Sequence, residues 1–180
     1  SLGVQNVNEL VALAKAQPGK ISFGSAGNGS PGHLAGDLIN KRAGVKMTHV
    51  PYKGGGPAVA DVVAGHISFI MATSAEIMPF ANQGRLRVLG ATSKNRISFL
   101  PQIPTLHETG LPDFDLTVWY GISAPAGTPS AIINLLNKEL RAILKQPDIQ
   151  ERLRGIGMEG VDTTPEQFAQ FIASESSRRR

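Results

Sequence analysis

Apolar residues recur at helical spacing, then at strand spacing, and this alternation continues through the first half of the chain. Val7, Leu10, Val11, Leu13 and Ala14 share one helical face, Asn6 is suited to cap it, and Pro18-Gly19 ends the run. Ile21-Ser22-Phe23 alternates like a short strand and leads into the glycine-rich stretch 24–32. A helix is expected from about Pro31 to Arg42, with Leu34, Ala35, Leu38 and Ile39 on one face. The order then repeats, with a strand over residues 45–50, a loop over 51–56 and a helix over 57–64. Residues 67–72 form a continuous apolar run suited to a buried strand, 76–82 predict a short helix, and 86–92 another buried strand. Strands alternating with helices imply an α/β fold with a largely parallel sheet.

The pattern changes at residues 93–114, where Pro101, Pro104 and Pro112 leave room only for a short helix at 105–109. Residues 116–124 read as a strand closed by Pro125-Ala126-Gly127-Thr128-Pro129, with Thr128 as N-cap and Pro129 in the first helical turn. The helix that follows carries Ile132, Ile133, Leu136, Leu140 and Leu144. Pro147-Asp148 starts another helix that ends near Gly155. Thr163 and Thr164 are both suitable caps for a last helix with Phe168, Phe171 and Ile172 on its apolar face. The proline-rich crossing near 116–129 is the candidate boundary between two lobes.

Composition narrows the function. The net charge is +4, and Arg178, Arg179 and Arg180 carry three of those charges, so 4 − 3 leaves +1 for the rest. The other cations alternate with acids and no basic stripe carries aromatics, which argues against a nucleic-acid partner and for a solvated arginine tail. No apolar run is long enough to span a bilayer, so direct membrane insertion is not expected. The start, Ser1-Leu2-Gly3-Val4-Gln5, has neither the basic nor the apolar region of a signal peptide, which has been removed or was never there. The absence of cysteine excludes disulfides, thiolate catalysis and cysteine metal sites. His33, His49, His66 and His107 show no metal-binding spacing, so no metal is expected.

The chemistry concentrates where strands pass into helices. In the loop 24–32, Gly24, Gly27, Gly29 and Gly32 permit close backbone approach, and Ser25, Asn28 and Ser30 add donors at the positive end of a helix. Such a terminus takes carboxylate or phosphate, although a tight turn with Ser30 serving only as N-cap explains the same residues. His33, one turn in, could donate to an anion or serve the core. Gly27-Asn28-Gly29-Ser30-Pro31-Gly32 also matches a dinucleotide fingerprint literally, but the next strand ends in Val50-Pro51-Tyr52-Lys53, without the acid a ribose requires. No Gly-Lys-Ser/Thr closes a P-loop. The second loop, Tyr52-Lys53-Gly54-Gly55-Gly56-Pro57, repeats the logic and adds one lysine, and Thr73-Ser74 offers hydroxyls that would equally cap a helix near Glu76. No nucleophile elbow surrounds Ser25, Ser30 or Ser74, so no catalytic residue is assigned and binding without chemistry or cofactor is expected.

Four segments together resemble the Bug family, the extracytoplasmic solute-binding receptors of tripartite tricarboxylate transporters. They are Phe23-Gly24-Ser25-Ala26-Gly27-Asn28-Gly29-Ser30-Pro31, His49-Val50-Pro51-Tyr52-Lys53-Gly54-Gly55-Gly56-Pro57-Ala58, the Pro101-Gln102-Ile103-Pro104-Thr105 region to Pro112, and Trp119-Tyr120-Gly121 followed by Ala124 to Pro129. The resemblance implies a two-lobed periplasmic binding protein of the second structural type, in which residues 4–117 are the second lobe and 118–180 the returning part of an incomplete first lobe. It implies a periplasmic receptor that closes on a di- or tricarboxylate or an acidic amino acid and delivers it to transporter membrane subunits. By motif, Ser25, Ala26, Gly27, Asn28, Gly29 and Ser30 would hold a carboxylate, with His33, Tyr52, Lys53, Gly54, Gly55, Thr73 and Ser74 as further contacts. Family members carry a preceding half-lobe that contacts the ligand from the other side, and their last helix runs on. A remnant that has lost tight binding, a dinucleotide enzyme and a regulatory effector domain are the competing readings.

Overall fold

The computed structural model describes residues 2–178, without the Arg178 side chain. Ser1, Arg179, Arg180 and that side chain, hence most of the expected arginine tail, lie outside the described residues. The chain divides into two compact units, Ser1–Trp119 and Tyr120–Arg180.

Among its described residues the first unit is built around three strands and four helices in the order α1 (Val7–Ala16), β1 (Ser22–Ser25), α2 (Pro31–Ala43), β2 (Thr48–Pro51), α3 (Gly55–Ala64), β3 (Phe69–Ile70) and α4 (Ser74–Ala81). β1 lies between β2 and β3 and pairs parallel with both. Its register sets Phe23 beside His49 on one side and beside Phe69 on the other. Helices α1 and α2 begin on local signals. Asn6 Oδ1 accepts the Glu9 N–H at 3.0 Å, while Glu9 accepts the Gln5 N–H at 2.7 Å, closing the start of α1. Pro31 occupies the first turn of α2 behind Ser30, and left-handed Gly44 ends it.

The core joins Val7, Leu10 and Ala14 of α1, Phe23 of β1, Ala35 and Ile39 of α2, and Leu106, Leu111 and Phe114 from the proline-interrupted stretch. Phe23 and Phe114 are fully buried. Gly36 is required under the Phe23 ring, because a Cβ there would collide with it.

Several expected elements are absent or shorter. The apolar run 67–72 contributes only Phe69–Ile70 to the sheet, as an edge strand against β1. Residues 86–92 form no strand and hold only a bridge between Ala91 and Thr105, since no neighbouring strand supplies a ladder. Residues 105–109 form hydrogen-bonded turns instead of a helix, with Glu108 bound back to the Thr105 N–H at 2.8 Å. Residues 116–124 are not a strand either, and Tyr120 and Ile122 stand 72% and 73% exposed.

The second unit contains α5 (Ser130–Leu144), α6 (Pro147–Gly155) and α7 (Pro165–Arg178). Helix α5 starts one residue later than expected, with Pro129 as N-cap, because the Thr128 hydroxyl donates to Pro125 O at 2.8 Å. Of the two candidate caps for α7, Thr164 serves, accepting the Gln167 N–H at 3.2 Å, while Thr163 O accepts from Asn137. None of this unit's described residues is buried. Ile132, Leu135 and Leu136 of α5 are each about half exposed.

The Phe23 ring cannot move without disturbing His49 and Phe69, so the clash outweighs the helix-propensity gain of an alanine at position 36. Gly36→Ala is expected to destabilise the first unit by about 1–3 kcal/mol, read as a lower urea midpoint at unchanged slope.

Candidate functional site

The carboxyl ends of β1, β2 and β3 open along one sheet edge, and each continues into a stretch that begins a helix. The first of these loops turns at Gly27 and Gly29, whose φ values of 130° and 77° favour glycine. The ladder extends beyond the strands, for the Tyr52 N–H donates to Ser25 O at 3.1 Å and the Gly54 N–H to Ala26 O at 3.2 Å. Two of the predicted loops are therefore tied backbone to backbone. The stretch after β3 joins them through Gly32, whose missing side chain leaves room for Met71 O.

Several predicted side chains are occupied inside the fold. Ser25 is fully buried, accepts the Gly27 N–H at 3.2 Å and lies 2.7 Å from His49 Nε2. Ser30 caps α2 by accepting the His33 N–H at 3.3 Å and donates its hydroxyl to Gly27 O at 2.7 Å. Thr73 gives its amide and its hydroxyl to Glu76 Oε2, each at 2.8 Å, and so closes the start of α4. Ser74 is the first residue of α4. Tyr52 donates to Asp61 Oδ2 at 2.6 Å. Burial and this bond push its phenol up to about 12, and the same bond, followed by His66, holds Asp61 below its ordinary value.

What remains open is mostly backbone. The N–H groups of Ala26, Asn28 and Gly32 have no acceptor among the described residues, and the exposed Asn28 and Lys53 side chains have no partner among them. The two helix starts differ electrostatically. Helix α2 has no acidic residue in its first turn. At α3 the Glu76 carboxylate occupies the space beside Gly55, so that terminus already faces an internal anion.

Three residues outside the expected ligand contacts matter here: His49, Asp61 and Glu76. The register of β2 against β1 brings His49 under the first loop, where its ring stacks on His33 with centroids 4.1 Å apart. Burial, then the charge of His33, lowers the His49 pKa against the opposing effect of Asp37. The described residues contain no group of three histidines, cysteines or acids able to hold a metal, and no helix long and apolar enough to cross a membrane.

The Tyr52 phenol keeps a proton that the unfolded chain releases near the ordinary value of 10.0, so its stabilising contribution is full below that pH and fades toward about 12. Absorbance titration is expected to resolve a tyrosine ionising near pH 12, and Tyr52→Phe to remove it together with that part of the alkaline stability loss.

Residues 2–180 match the family model described as the tripartite tricarboxylate transporter family receptor, TctC. A UPF0065 protein from the tcbD-tcbE intergenic region of Pseudomonas sp. strain P51 is 38% identical over 97% of this chain and 52% of its own length. Protein BugT of Bordetella pertussis is 34% identical over 98% of this chain and 54% of its own. Among solved structures, an R. palustris protein with adipate superimposes with a TM-score of 0.91 at 31% identity, covering 99% of this chain and 60% of the other. MatC from Rhodopseudomonas palustris with bound malate gives 0.83 at 28% identity, covering 99% and 62%. The chain spans about half the length of these curated relatives, 52% and 54%. Its α/β fold with a parallel sheet is that of periplasmic binding proteins such as BugD, of which it covers 60%. On these grounds the chain belongs to the TctC receptor family, whose members include the Bug solute-binding proteins.

Proposed function

We propose that this chain is the greater part of a periplasmic receptor that binds a small di- or tricarboxylate or an acidic amino acid and delivers it to transporter membrane subunits. The observation that carries this reading is the set of N–H groups at Ala26, Asn28 and Gly32 that have no acceptor among the described residues, grouped at the start of a helix without acids in its first turn. Carboxylate oxygens accept two or more such donors and gain from the helix field. The adipate and malate bound by two relatives are of that chemical class. Asn28 and Lys53 add a side-chain donor and a cation at the same sheet edge. Ser25, Ser30, Thr73 and Tyr52 shape the loops from beneath, their polar atoms being engaged within the protein.

In this reading residues 4–117 are the ligand-binding second lobe and 118–180 the returning part of the first. Two features support it: the first compact unit ends at Trp119, and the second has no buried residue among its described residues. The apolar stripe of α5 then belongs under the remainder of the first lobe. A chain that has lost tight binding is the second reading, favoured by the engagement of Ser25, Ser30, Thr73 and Tyr52 within the fold.

Thermal shift and calorimetry with adipate, malate and citrate test the proposal, with NAD as control. One carboxylate class is expected to raise the melting temperature. Asn28→Ala is expected to weaken it about 10–100-fold, the loss of one hydrogen bond to a charged group. Ser30→Ala is expected to lower unliganded stability by about 1 kcal/mol through the lost cap. A shift with NAD alone would replace this reading with a dinucleotide site. No shift from a cooperatively folded sample would favour the second reading.

A further inference from the structure

An imidazole nitrogen accepts a hydrogen bond only when it carries no proton. The Gly29 N–H donates to His33 Nδ1 at 3.0 Å, so in this geometry the single ring proton is on Nε2, which lies 3.1 Å from Asp37 Oδ2. A second proton can enter only at Nδ1, where it would meet the Gly29 N–H head-on. Protonation of His33 and its hold on Gly29 are therefore mutually exclusive.

The neighbouring ring directs that proton to His33. His49 stacks on it at 4.1 Å, and two imidazolium rings at that distance repel. His49 is also the more costly ring to charge, being packed beside Phe23 and bonded to buried Ser25. Asp37, on α2, is the only acid beside the pair among the described contacts. From β1 the pair meets Ser25 and Phe23, and behind Phe23 lies Phe69 of β3; none of the three carries charge. On α3, Asp61 is turned to Tyr52 and to His66. The pair thus holds the loop at two points, Gly29 through His33 and Gly27 through His49 and Ser25.

We propose that His33 is a proton-operated positioning residue of the glycine-rich loop: neutral, it holds the Gly29 N–H; protonated, it releases that donor to an anion, so that carboxylate binding takes up a proton. The ligand half of this statement rests on the carboxylate-receptor reading, whereas the loop half rests on the hydrogen bonds alone.

The test is an NMR titration of the full chain between about pH 8 and about pH 5, spanning the ordinary imidazole range near ~6.5. Ring nitrogen shifts should report the Nε2–H tautomer of His33 at the alkaline end. The Gly29 amide should move with the same midpoint as the His33 ring, and His33→Gln should flatten that profile while leaving the folded spectrum intact. A Gly29 amide that does not follow His33, or that titrates unchanged in His33→Gln, would overturn the proposal. Calorimetry with adipate near pH ~6.5, in two buffers of different ionisation enthalpy, should then show proton uptake that is lost in His33→Gln. Adipate bound without proton uptake would overturn the coupling and leave the receptor reading standing. A Gly29 amide that follows His33 in a chain that binds no carboxylate would support the loop switch and count against the receptor reading.

Discussion

Parallel pairing of β1 with both of its neighbours is the constraint on which the rest of the first unit depends. Parallel strands all leave the sheet at the same edge, so three chain segments must turn there within a few ångströms of one another. Their backbones satisfy each other where the strands end, with Tyr52 and Gly54 donating to Ser25 and Ala26. The same pairing fixes the register, and the register sets His49 beside Phe23 and within reach of Ser25. The buried ring pair and the tethering of the first loop to the second both follow from one ladder.

Charge is distributed unevenly along that edge. The start of α3 faces the Glu76 carboxylate, which also closes the start of α4 through Thr73. The start of α2 has no such internal partner, and the open donors of the first loop lie there. An approaching anion meets an internal carboxylate at one helix start and unpaired N–H groups at the other. The fold thereby leaves one of two similar glycine-rich termini without an internal anion among the described residues. Their glycines do not separate them, since each loop is glycine-rich and is followed by an early proline.

The segment 116–124 illustrates what a strand sequence needs besides its own residues. Residues 116–124 have the apolar character of a strand, yet a strand exists only where a neighbour completes its hydrogen bonds. Among the described residues no neighbour does so. The same limitation acts on 86–92, where Ala91 finds a single bridge to Thr105. Helices escape it because their backbone bonds are internal. Helix α5 is therefore complete even though Leu135 and Leu136 lie exposed.

By itself the sequence determined the elements governed by near neighbours. The boundaries of α1 and the proline-led start of α2 follow from residues at most four apart, as capping and helical bonding do, whereas for α7 the sequence offered Thr163 and Thr164 alike. The glycine-rich loop and its place between a strand and a helix were legible for the same reason, and so was the family, through four segments in order. Tertiary structure alone decided which apolar runs became strands, since pairing joins residues far apart in the chain. It also decided which donors stayed open. Ser25 and Asn28 look alike as polar residues of one loop, but Ser25 points into the fold toward His49, 24 positions along the chain, and Asn28 faces solvent. The direction of a side chain at a strand end depends on the pleat and the register, and neither is written in the residues that surround it.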